Sequence, residues 1–172
     1  MDVHEKIVSD LDTLIVRLKT ADKKIQFLEK NSNQAQADEV RNEIKRQNNN
    51  IKESFQKHYT VGILFFIDPN QAQDLFNRNY KKVDLIDISG HPVETKLSNN
   101  SNYIFTKIEA GRQQEHFVLM DKDKNILPYP IGNIFSKGDN IDTYELAIIN
   151  LTEALAVYKN RYERAKIKGP IE

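Results

Sequence analysis

Cysteine and tryptophan are absent from this sequence, and glycine and proline are scarce, at six and five of 172 residues. Without cysteine there is no disulfide framework, no thiolate metal site and no cysteine nucleophile. The few glycines are scattered and form neither G-x-G-x-x-G nor G-x-x-x-x-G-K-[ST], so no phosphate-cradling loop is encoded. No G-x-S-x-G is present, and no serine stands in a strand-turn-helix elbow. Nothing approaches the roughly 20 consecutive apolar residues that span a bilayer. The opening MDVHEKIVSDLD carries acids where a signal peptide carries a basic start and an apolar run. The expectation is a soluble, cytoplasmic protein with no membrane partner. A surplus of one charge is missing too: 25 Lys plus Arg face 25 Asp plus Glu. That balance removes the long-range positive field that steers most nucleic-acid binders, so such a role would need a local patch.

What is present is periodicity. Ile7, Leu11, Leu14, Leu18, Ala21, Ile25 and Leu28 recur at spacings of four and three, a heptad seam that predicts a helix over residues 3–30. The phase slips at Asn31-Ser32-Asn33-Gln34, residues that compete for backbone hydrogen bonds and favour turns. A second helix is expected near 36–57, carrying Val40, Ile44, Ile51 and Phe55, so residues 1–58 read as a helical hairpin or, alternatively, one long helix with a stutter. Asn48 falls on the seam between Ile44 and Ile51, where a polar residue fixes register.

At Tyr59 the period changes. YTVGILFFID is rich in β-branched and aromatic residues on both faces and predicts a central, two-sided strand. Asp68-Pro69-Asn70-Gln71 then reads as a helix start, with Asp68 as N-cap and Gln71 reaching back, for a short helix over about 69–79. From 82 to 136, KVDLIDI, VETKL, YIFTKIE, HFVLMD and ILPYPI alternate with turn chemistry, the pattern of an antiparallel meander. Residues 141–165 return to helical spacing, with Tyr144, Ile148, Leu151, Leu155, Tyr158 and Tyr162 on one face.

The resulting fold class is α+β: an N-terminal helical hairpin or coiled coil (1–58), a central antiparallel β-meander of about five or six strands with one short helix (59–138), and a C-terminal amphipathic helix (139–172). Whether the sheet closes into a small barrel is not readable from the pattern.

Chemistry is weakly encoded. Asp121-Lys122-Asp123-Lys124-Asn125 starts like a calcium loop, but Ile126 and Gly132 stand where Gly and a bidentate acid are needed, so a hairpin turn is expected. His58, His91 and His116 lack any metal-binding spacing. No catalytic, cofactor-binding or metal site is assigned, and the chain is read as a non-enzyme. The most specific feature is the seam Ile7, Leu11, Leu14, Leu18, Ile25 and Leu28, which points to an adaptor or assembly subunit: helices set self-association into a homo-oligomer, and the β module faces a protein partner. The alternative is a nucleic-acid-associated β module that stacks bases on Tyr103 or Phe105 and holds phosphates with Lys96, Lys107 and Arg112, supported by the basic C-terminal run Lys159, Arg161, Arg164, Lys166 and Lys168.

Overall fold

The computed structural model describes residues 13–93, 97–99, 101–110, 115–127, 133–135 and 142–168. It is a mixed helix-and-sheet chain with an open sheet rather than a closed barrel. The elements in chain order are β1 (Thr13–Arg17), α1 (Asp22–Lys30), α2 (Gln34–His58), β2 (Ile63–Ile67), α3 (Ala72–Phe76), β3 (Leu85–Asp87), β4 (Ile104–Ala110), β5 (Glu115–Asp121), β6 (Asn133–Phe135) and α4 (Asp142–Lys168). Short 3₁₀ turns at Pro69–Gln71 and Tyr80–Lys82 flank α3.

The first correction concerns residues 3–30. Residues 3–12 lie outside the described residues; among those described, Thr13–Arg17 is a strand at the heart of the sheet and helix begins at Asp22. Leu14, Ile15 and Val16 are consecutive and all buried, which a helical stripe cannot achieve but a strand covered on both faces can. The second correction concerns topology. Six strands run in the order β3-β2-β1-β4-β5-β6, and β1 pairs in parallel with both β2 and β4. Only the flanks, β2 with β3 and β4 through β6, are antiparallel. A piece spanning 59–138 alone would therefore lack its central strand. The expected strand VETKL falls largely outside the described residues, as does most of ILPYPI; Ile126 makes an isolated bridge to Met120.

Each face of the sheet has its own core. On the first, Leu14, Val16, Leu64, Phe66, Phe117 and Leu119 meet α2 through Ile51 and Phe55, and α4 through Tyr144, Ala147, Ile148, Leu151 and Leu155. Phe55 is fully buried, its ring edge-on to Tyr59, Phe66 and Phe117 with centroids 5.9 to 6.1 Å away. On the second, Ile15, Ile67, Phe105, Val118 and Met120 meet Ala72 and Leu75 of α3 together with Tyr80 and Tyr103. The start of α3 is close to expectation: Asp68 Oδ1 accepts from the Asn70 N–H at 2.8 Å. Gln71, however, closes no capping box. Its amide instead donates to Asp84 Oδ2 at 2.8 Å and accepts from the Asp84 N–H at 3.1 Å, tying the helix start to the approach to β3.

Between β1 and β2 the chain makes a long excursion. α2 has 25 residues and extends about 37 Å at 1.5 Å per residue. A five-residue strand such as β2 spans about 17 Å. The C-terminal half of α2 covers the sheet, and the N-terminal half runs beyond it alongside α1. Asn31 to Asn33 join the two helices, with Ser32 in the left-handed region (φ 55°) and the Asn33 side chain accepting from the Gln36 N–H. No residue from 19 to 50 belongs to either core cluster. α1 has no buried residue at all. Residues 22–50 thus form a helical arm that the two cores do not require.

Candidate functional site

Two regions combine accessible chemistry with definite geometry: the arm and the end of the sheet from which it departs.

The arm is held at its root by one amide. Asn48 Oδ1 accepts from the Lys19 backbone N–H at 2.8 Å, and Asn48 Nδ2 donates to the Lys19 carbonyl at 3.0 Å. Further out, Arg41 of α2 pairs with Glu29 of α1 and with Asp38 at 2.6 Å, and its pKa is raised, first by the bond to Glu29. Between the β1 exit and α2 lies an open groove of about 410 Å³, lined in part by Leu18, Ile25, Ile44, Asn48, Lys45 and Lys52. Phe27 projects from α1 with 66% of its surface exposed.

The structure scatters the expected seam. Ile7 and Leu11 lie outside the described residues. Leu14 is buried in β1, and Leu18, just past the strand, packs against the first core. Ile25 and Leu28 are half-buried on α1. The six residues therefore do not share one helical face. The basic run Lys159, Arg161, Arg164, Lys166 and Lys168 occupies the final turns of α4, and its side chains lie outside those described.

At the carboxyl end of β1 a polar cluster joins three elements distant in sequence. Lys19 Nζ reaches Glu115 Oε1 at 2.6 Å and the Tyr144 hydroxyl at 2.8 Å, and that hydroxyl donates a short bond to Glu115 Oε2. The cation also stands 5.5 Å from the Tyr144 ring centre. Burial, then the bond to Glu115, pushes the Tyr144 hydroxyl well above the ordinary tyrosine range. Nearby, Lys57 and His58 at the end of α2 both reach Glu145 Oε1 at 2.6 Å, and Lys57 first, then His58, holds that carboxyl below its usual range. These contacts clamp α4 onto β1, β5 and α2.

The other sequence candidates resolve as structure. Asp121 Oδ1 accepts from the backbone N–H groups of Asp123 and Asn125, both at 2.9 Å, and Lys124 is left-handed (φ 69°), the hairpin turn expected of that segment. His91 stands in the turn after β3, its N–H donating to Asp87, far in role from His58 at Glu145. Among the described residues no group of three His, Cys, Asp or Glu is placed to hold a metal, and no helix is long and apolar enough to cross a membrane. Tyr103 and Phe105 are fully buried in the second core and offer no stacking platform.

Sequence reasoning missed the Lys19–Glu115–Tyr144 cluster, because only the fold brings its members together. Compared with known proteins, the chain matches no family model, no curated protein and no solved structure.

Proposed function

We propose that this chain is a non-enzymatic adaptor or assembly subunit whose helical arm, residues 22–50, makes the contact with a protein partner. The observation that carries the reading is that the arm contributes nothing to either core yet holds a large aromatic, Phe27, in solvent. A nine-residue helix is too short to persist alone in water, and α1 survives only by lying against α2. A segment kept ordered at that cost, outside the core, fits a recognition element better than a structural one. The partner would cover Phe27 and the half-buried stripe of Ile25 and Leu28. Compared with the heptad seam, this moves the contact surface from a continuous coiled coil to the outer side of a short helix. Self-association through the same surface is the homo-oligomeric form of this reading.

The test uses the tagged full chain and its Phe27→Asp variant, compared for solution mass and for protein captured from native lysate after nuclease treatment. A doubled mass, or a stoichiometric partner that survives nuclease, is expected for the parent chain and lost in the variant. Equal mass and equal capture by both chains would remove the proposal. Recovery that disappears on nuclease digestion would favour the nucleic-acid reading.

A further inference from the structure

Arg17 ends β1, and strand alternation puts its side chain on the face of Ile15, the face that α3 covers. Toward the carboxyl ends of the parallel strands, that face stops being apolar. β1 passes from Ile15 to Arg17, β4 passes from Phe105 to Lys107 and Glu109, and β5 enters with His116 before Val118 and Met120. Val16 stands beside Thr106 in the β1–β4 ladder, so Arg17 and Lys107 lie one step further along neighbouring strands about 4.8 Å apart.

The cations at this end differ in what satisfies them. Lys107 pairs with Glu109, and Lys19 pairs with Glu115. The Arg17 side chain makes no hydrogen bond or ion pair with the described residues, and its Nε is buried without an acceptor among them. Buried donors in native proteins are almost always paired, with protein, water or a bound group. The location adds a second reason. β1 leaves the sheet toward α1 and α2 on the first face, whereas β2 leaves toward α3 on the second. In the order β3-β2-β1-β4 the chain steps outward from β1 to β2 and β3 and then returns to the other side of β1, so strand order reverses between the parallel neighbours β1 and β4, and open α/β sheets bind ligands in the crevice at the carboxyl ends of such a pair. Arg17 is the last residue of β1.

We propose that Arg17 anchors a binding site for the oxyanion group of a small molecule, a carboxylate or a phosphate, at the carboxyl end of β1 beside β4, with Lys107 as the second contact. The guanidinium is a planar fork of donors that matches either oxyanion with two parallel bonds. This site is separate from the arm and stands or falls independently of the adaptor reading.

The experiment is thermal unfolding of the full chain titrated with inorganic phosphate or with succinate, at constant ionic strength balanced by chloride. A saturable rise in midpoint with one of the two anions is expected, and the anion that gives it identifies the phosphate or carboxylate source. Arg17→Gln should weaken that binding about tenfold or more, as loss of a charged hydrogen-bonding group does. Lys107→Gln should weaken it less, and Lys45→Gln on the arm should leave it unchanged. If Arg17→Gln does not fold, Arg17→Lys takes its place, since it keeps the charge and loses the fork. No saturable rise with either anion would overturn the proposal, and so would the same rise in the parent chain and in the Arg17 and Lys107 variants.

Discussion

Asn48 closes a two-point hydrogen bond with the backbone of Lys19, donating to its carbonyl at 3.0 Å and accepting from its N–H at 2.8 Å. Lys19 follows closely on the β1 exit, so this amide ties α2 to the chain just beyond the central strand, next to the packing of Ile51 and Phe55. Asn48→Ala would leave both backbone groups without their partner, at a cost of about 1–3 kcal/mol. Asn48→Asp keeps the acceptor and loses the donor, so it should fall between the parent and the alanine variant. Urea unfolding of the three proteins measures the order, and an Asn48→Ala midpoint equal to the parent would show that the lock is idle.

The arm and the cores should respond differently to truncation. Phe55→Ala removes a fully buried ring that touches three other aromatics, and it should cost about 3–5 kcal/mol. Phe27→Ala removes a ring already in solvent, and it should change stability by no more than about 0.5 kcal/mol. Similar losses at the two positions would mean that α1 is part of the cooperative core.

Alkaline pH should unfold the protein as Tyr144 is forced to ionise. Burial and the bond to Glu115 raise its folded pKa above the unfolded value of about 10. The stability this provides is complete below pH 10 and is lost as pH rises toward the folded value. Tyr103 is raised in the same direction, chiefly by burial. Phenolate absorbance should therefore show Tyr103 and Tyr144 ionising only with loss of structure. Tyr144→Phe should remove one phenolate from the late-titrating amplitude, and an unchanged titration would contradict the assignment.

The acid side has the opposite sign. Glu145 is held below the usual glutamate range by Lys57 and then His58, so its contribution is present above the unfolded value of about pH 4.3. It is lost as pH falls through the lower folded value. Glu145→Gln should flatten the dependence of the urea midpoint on pH in that window. A slope identical to that of the parent would show that the clamp between α2 and α4 does not report on folding.

Much of the helical architecture was legible because period and capping agree. Ile51, Phe55, Ile148 and Leu151 are buried where their spacing put them, and the turn at Asn31 to Asn33 separates two helices. The β1 strand was hidden because Leu14 and Leu18 continue a heptad rhythm across it, and a short strand offers little period of its own. The signal available was the uninterrupted Leu14-Ile15-Val16, which fills both faces and which no seam explains. The parallel pairing of β1 with β4 joins residues about 90 positions apart, beyond the reach of any local pattern. Lys19, Glu115 and Tyr144 were hidden for the same reason, whereas Asn48 was visible as a polar break in an apolar stripe.

The most direct measurement is native-state hydrogen exchange on the full chain. Amides of Leu14 to Val16 in β1 and of Ile51 to Phe55 in α2 should exchange only through global unfolding, because they sit in the core. Amides of α1 and of the first half of α2 should open locally at lower free energy, since the buried side chain there, Ala37, joins neither core cluster. Equal protection across α1, α2 and β1 would contradict the account: residues 22–50 would then be an integral part of the fold, and the adaptor reading would lose its premise.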